Sequence, residues 1–206
     1  MVSRNLRGCI PPVTSGRRRL VCLLFGFAVL VAGRCSNEPE LPVLYAVPSA
    51  ILTSQDARAV NLQQFEGFVT VYDFIFTSCS GVCPLMTRTM SSLVKSVDPS
   101  EPVRFVSISV DPERDTPARL ARYASSAGRD SRWTFLRTDK DQAFLLSQRG
   151  FKLSAGENAP AVPDPVYHSP RFVLVDRKGY IRGYYDATMP GKVQELKRDI
   201  ARLARQ

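Results

Sequence analysis

Residues 68–76 are apolar at nearly every position (Phe68, Val69, Val71, Tyr72, Phe74, Ile75, Phe76), the pattern of a strand buried on both faces. Thr77, Ser78, Ser80 and Gly81 break the run. The period then changes: Val82, Leu85, Met86, Met90, Leu93 and Val94 fall on one face of a helix over Val82–Val97, with Pro84 in its first turn. Val103–Val110 alternates and predicts a strand. Asp115 or Thr116 can cap a helix that starts at Pro117 and runs to Ala127, with Gly128 as its stop. Trp133–Leu136 predicts a short strand and Lys140–Arg149 a helix. Residues 150–170, with Gly156 and Pro160, Pro163, Pro165 and Pro170, predict a loop. Arg171–Val175 and Tyr180–Tyr185 predict a hairpin about Asp176–Gly179. Pro190–Arg205 predicts a basic helix that turns Val193, Leu196, Ile200 and Leu203 inward. Upstream, Ser49–Thr53 and Ala57–Val60 are short strands. Strand and helix alternate and end in an extra hairpin, so the fold class is α/β, a central mixed sheet flanked by helices.

The first 34 residues follow a different rule. Arginines precede an apolar run of 14 residues, Leu20 to Gly33, the length of a signal sequence core rather than of a full membrane span. Residues 1–34 therefore read as a signal or membrane-anchor segment, residues 35–48 with Pro39, Pro42 and Pro48 as a linker, and residues 49–206 as the domain. Cleavage, retention as an anchor and lipid attachment at Cys35 all remain open. Ala32-Gly-Arg-Cys35 is similar to a bacterial lipobox, except that Arg34 stands where a small residue belongs. The domain is expected beyond a membrane: the periplasmic side of the bacterial inner membrane, or the mitochondrial intermembrane space of a eukaryote.

This segment also explains the charge. The chain is +9 overall, yet residues 1–34 hold six arginines and no acid, leaving 22 basic against 19 acidic residues in the remainder. That balance offers no basic face for nucleic acid.

Of five cysteines, only Cys79 and Cys83 fall within the domain. They sit where a strand hands over to a helix, at the i, i+4 spacing that brings side chains to about 5–6 Å on a helix. The positive end of a helix favours thiolate over thiol. Two such sulfurs either bind a thiophilic metal or cycle with a disulfide; two inert buried cysteines are the plain alternative. His168, the sole histidine, lies in the proline-rich loop just before a core strand. Two thiolates and an imidazole suit Cu(I), and Cu(II) with a further weak ligand; structural zinc wants a fourth ligand. Met86 and Met90 are soft atoms nearby, but their helical spacing marks them as core. Asp73 stands inside the apolar strand, either as a buried proton acceptor or as a group satisfied by a local hydrogen bond.

Three stretches together resemble the Sco/SenC family: Phe76-Thr-Ser-Cys-Ser-Gly-Val-Cys-Pro84, Val110-Asp-Pro-Glu-Arg-Asp-Thr-Pro117, and Tyr167-His-Ser169 followed by Phe172-Val-Leu-Val-Asp176. The resemblance covers about residues 45–205. It implies a thioredoxin-like fold, copper held by Cys79, Cys83 and His168, and service to cytochrome c oxidase assembly. The chain departs from the common pattern at Ser80 and Gly81, where many members carry Pro and Asp, and at Tyr167, where many carry Asp. Asp73, six residues before Cys79, is similar to the buried aspartate of thioredoxin that helps move a proton off the second cysteine. Pro170 holds the place of the thioredoxin-family proline that is cis and faces the cysteines, whereas X–Pro bonds in general prefer trans.

Two functions follow as expectations. One is a copper chaperone that delivers to the binuclear copper site of cytochrome c oxidase. The other is a membrane-associated thiol–disulfide oxidoreductase, with Cys79 and Cys83 as the redox pair and Asp73 as proton acceptor, that keeps acceptor cysteines reduced. His168 favours the first and Asp73 the second.

Overall fold

The computed structural model of the chain describes residues 39–139, 142–143, 145–153 and 169–206. Seven strands form one sheet: β1 (Ile51–Ser54), β2 (Ala59–Asn61), β3 (Val69–Ile75), β4 (Val103–Ser109), β5 (Trp133–Arg137), β6 (Arg171–Val175) and β7 (Ile181–Asp186). Their spatial order is β2-β1-β5-β4-β3-β6-β7. The central β5, β4 and β3 run parallel; β1 and β2 on one side and β6 and β7 on the other run antiparallel to their neighbours. The mixed sheet expected from the alternation of elements is what forms.

Among the described residues three long α-helices accompany the sheet: α1 (Cys83–Ser96), α2 (Pro117–Gly128) and α3 (Pro190–Ala204). Their apolar stripes meet one face of the sheet. Met86, Met90 and Leu93 of α1, Leu120 of α2 and Leu196, Ile200 and Leu203 of α3 share a core with Val69, Val71, Ile75, Phe105 and Phe135. Met86 and Met90 are thus core residues. The opposite face is covered by a 3₁₀ turn, Leu62–Phe65, and by Phe151 and Leu153, which pack on Tyr72, Phe74, Val106 and Ile108. All seven residues of β3 are buried, as its unbroken apolar run requires.

Two expectations are corrected, and one question left open is decided. The helix foreseen at Lys140–Arg149 is, over Leu145–Gly150, a π-helix closed by Phe151 N–H to Leu146 O at 2.8 Å. The wider turn carries Phe151 under the sheet, with its ring 5.0 Å from Tyr72 and 5.2 Å from Phe74. Residues 35–48 are not all linker. From Glu40 the chain runs along β7 as a strap: Leu44 N–H donates to Ile181 O, Ile181 N–H to Tyr45 O and Val47 N–H to Gly179 O. The buried Arg182 holds the strap by donating to Pro42 O and Leu41 O while pairing with Asp176 at 2.8 Å. Finally, Ser169–Pro170 is not cis. Pro170 instead uses its carbonyl to accept Ala187 N–H at 2.8 Å, which fixes the entry to β6.

Candidate metal centre

Cys79 and Cys83 are reduced, with no disulfide between them. Cys83 is the first residue of α1 and fully buried; Cys79, half-buried, lies in the irregular stretch that joins β3 to α1. That stretch bends at once, because Cys79 N–H donates back to Phe76 O at 3.2 Å. Pro84 occupies the first turn of α1, and no side chain caps the helix, so its N-terminal dipole is left for the sulfurs. The two cysteine side chains are in hydrogen-bond contact.

The helix end does not make Cys83 a thiolate. Burial pushes its thiol up to about 12; a hydrogen bond from the Phe76 backbone opposes this, and the charges of Cys79 and Asp73 add to it. Desolvation of the charged form outweighs the dipole here. The expectation of a thiolate fails at Cys83, which keeps its proton until a metal or a disulfide replaces it.

Asp73 lies on the face of β3 that α1 covers, in line with Val71 and Ile75, and is 0% exposed. Neither carboxylate oxygen has a partner in hydrogen-bond geometry, so the local satisfaction considered for it does not occur. Burial raises its pKa from 3.8 to about 7, against a weaker lowering influence of the Ser107 hydroxyl and its own backbone. Ser107 is its register partner on β4 and accepts from Trp133 Nε1 at 2.9 Å. Thr87 and Tyr123 join hydroxyls at 2.7 Å across α1 and α2, and Tyr123 lies within the electrostatic reach of Cys83, Asp73 and Cys79. The sequence did not single out Ser107, Trp133, Thr87 or Tyr123. The one signal was a serine among apolar neighbours on the core face of β4.

His168 lies outside the described residues. The chain re-enters just after it, and the sheet register says where. Tyr72 of β3 faces Val173 of β6, antiparallel. Extending that register by two residues sets Arg171 beside Phe74, at the end of the sheet where β3 feeds the Cys79 loop. Among the described residues, no group of three or more His, Cys, Asp or Glu side chains stands together. The described part of the centre is therefore a two-sulfur site with a carboxyl beneath it.

The Asp111–Pro117 segment has a firmer role than expected. Thr116, not Asp115, caps α2, accepting Arg119 N–H at 3.3 Å. Asp115 points inward and is 0% exposed. It accepts Thr77 N–H at 3.0 Å, the Thr77 hydroxyl, and the Ser109 hydroxyl at 2.6 Å.

A family model described as SCO1/SenC matches residues 49–205. The "SCO1 protein homolog" of Bacillus subtilis is 31% identical over 182 residues, which is 86% of this chain and 91% of the relative. Among solved structures, BsSco, a member of the Sco family of cytochrome c oxidase assembly proteins in which a disulfide switch was identified, has a TM-score of 0.66 at 28% identity, covering 82% of this chain and 99% of that one. ScoI of Bradyrhizobium japonicum, solved with copper bound, has a TM-score of 0.58 at 26% identity, covering 77% and 99%. The mixed sheet with its helices is thioredoxin-like, as the resemblance implied.

Proposed function

We propose, from the premise that the chain belongs to the SCO1/SenC family, that it carries copper on the far side of a membrane and delivers it to the binuclear copper site of cytochrome c oxidase. Cys79, Cys83 and His168 hold one ion. The observation that carries the reading is the pair of reduced cysteines at and just before the start of α1, near the end of the sheet where β6 begins, three residues after His168 in the sequence. Two sulfurs and one imidazole fit Cu(I). Cys79, half-exposed, meets the incoming ion first. Cys83 must release its proton as it binds, and Asp73, a carboxyl able to take up a proton near neutral pH, lies below it. Transfer then exchanges these sulfurs for thiolates of the acceptor, with no change in copper oxidation state. The arginine-flanked run at residues 20–33 supplies the membrane signal, which lies outside the described residues; no described helix is long and apolar enough to cross a membrane.

A copper titration of the reduced full chain tests this. One ion per chain is expected, with binding abolished by Cys79→Ser together with Cys83→Ser and weakened at least about tenfold by His168→Ala, each tenfold being about 1.4 kcal/mol. Domain binding that the double cysteine variant leaves untouched sinks the reading.

The unpartnered Asp73 favours a second activity at the same cysteines. The Cys79 thiolate attacks an acceptor disulfide and forms a mixed disulfide. Cys83 gives its proton to Asp73 and attacks the Cys79 sulfur, releasing a reduced acceptor and leaving the chain oxidised by the same two electrons. Asp73→Asn is expected to slow that exchange and leave copper affinity nearly intact; the reverse result removes Asp73 from the reaction.

A further inference from the structure

The stretch that carries Cys79 has neither helix nor strand between Ile75 and Cys83. Something outside it must hold the Cys79 sulfur opposite Cys83. Both donors of Thr77, its backbone N–H and its hydroxyl, two residues before Cys79, go to one carboxylate 38 residues away. Thr77 N–H donates to Asp115 Oδ2 at 3.0 Å, and the Thr77 hydroxyl donates to Oδ1. The same Oδ2 accepts the Ser109 hydroxyl at 2.6 Å, at the end of β4, and Arg119 Nε stands 3.8 Å from Oδ1. The carboxylate is itself fixed from behind, since Asp115 N–H donates to Asp111 O at 2.9 Å. A buried charge with this many donors is held in one place, and charge-assisted bonds of this kind are the strong ones.

We propose that Asp115 is a positioning residue of the cysteine pair: by fixing Thr77 it sets where Cys79 stands relative to Cys83. The carboxylate does not touch either sulfur. It restricts the loop before any bond forms, so that closing the Cys79–Cys83 disulfide, or bringing both sulfurs onto one metal ion, orders little further chain. In Asp115→Asn the charge is lost: the amide oxygen can still accept Thr77 N–H and the Ser109 hydroxyl, but the amide nitrogen then faces the Thr77 hydroxyl, which must turn from donor to acceptor, so charge-assisted anchoring bonds become weaker neutral ones. The looser loop makes the disulfide less stable and easier to reduce. The metal arm of this inference rests on the copper reading above; the disulfide arm does not.

The test equilibrates the full chain with glutathione buffers. The pair loses two electrons and two protons to oxidised glutathione, which becomes two reduced molecules. The tryptic fragment Ala59–Arg88, which holds both cysteines, reports the oxidised fraction by mass. In Asp115→Asn the equilibrium constant for forming the disulfide is expected to fall about tenfold, equivalent to about 30 mV toward easier reduction. Thr77→Val, which keeps the carboxylate and removes one of its bonds, is expected to shift it in the same direction by less, and it carries the test should Asp115→Asn not fold. Thr116→Ala is the control. It removes the α2 cap on the neighbouring residue and lowers the melting temperature, and it leaves the constant within twofold. Native constants in both Asp115→Asn and Thr77→Val, or an equal shift in all three variants, reduces Asp115 to a fold-stabilising group and overturns the proposal. A shifted disulfide constant with no copper bound by the native chain keeps the positioning role and removes the copper reading instead.

Discussion

Two aspartates near the cysteine loop, equally buried at 0% exposure, have opposite surroundings. Asp115 lies where two strand ends and a helix start converge, so donors from Thr77 and Ser109 fill both of its oxygens. Asp73 lies in the apolar layer between β3 and α1, where the Ser107 hydroxyl and its own backbone approach but neither oxygen closes a hydrogen bond. Burial opposes charge at both sites. What separates them is the supply of donors: with donors the carboxylate is a strut, and without them it holds its proton to about pH 7 and becomes a group that can trade protons with its neighbour.

The largest effect expected from this contrast is a pH dependence that belongs to Asp73 alone. In the unfolded chain its carboxyl releases its proton near 3.8, and in the folded chain near 7. Between those values the folded state binds more protons than the unfolded state, so stability falls as pH rises from about 4 to 7 and levels off above. Each pH unit in that window carries up to about 1.4 kcal/mol, for a total on the order of 4 kcal/mol. Asp73→Asn cannot ionise. Urea unfolding of the metal-free chain should therefore show Asp73→Asn as stable as the native chain at pH 4 and more stable by a few kcal/mol at pH 8. A difference independent of pH would mean that Asp73 has found donors after all, and the contrast would collapse.

Removing the other carboxylate should act in the opposite direction. Asp115→Ala leaves Thr77 N–H, the Thr77 hydroxyl and the Ser109 hydroxyl without an acceptor, and unpaired buried groups of this kind cost about 1–3 kcal/mol each. Partial hydration of the loop reduces the sum, and a loss of about 3 kcal/mol at pH 7 is expected by urea unfolding. A loss below about 1 kcal/mol, the scale of a single net hydrogen bond, would show that water replaces the carboxylate easily and that the loop is not pinned there.

Hydrophobic period identified every strand to within two residues, because β3, β4 and α1 carry patterns that only one packing satisfies. Cys79 and Cys83 were legible for the same reason: a strand-to-helix junction is visible as a change of period. What sequence could not separate were roles decided by contacts distant along the chain. Asp115 and Thr116 are both good caps, and only the fold shows that one turns inward to Thr77, 38 residues back. The residues of the strap looked like linker because three prolines mask its pairing with β7, and Arg182, which fixes it, lies about 140 residues later. The thiolate expected from the helix end failed at Cys83 because a dipole can be read from spacing but the depth of burial cannot. His168 remains where the sequence left it, just before β6.

The smallest expected effect tests how finely the Asp73 side of the contrast is tuned. Ser107 accepts from Trp133 Nε1 at 2.9 Å, which commits a lone pair and leaves its own O–H for the carboxyl across the register. That hydroxyl favours the charged form, so it holds the Asp73 pKa below where burial alone would take it. Ser107→Ala removes the donor and also leaves Trp133 Nε1 without its acceptor, a stability loss of about 1 kcal/mol. Subtracting that constant loss, the pH at which the native-minus-Asp73→Asn difference levels off should move upward in the Ser107→Ala background. Ser107→Thr, which keeps the hydroxyl, should restore the native midpoint. An unmoved or lowered midpoint in Ser107→Ala would mean that the hydroxyl serves Trp133 only, and that Asp73 is tuned by burial with no polar neighbour at all.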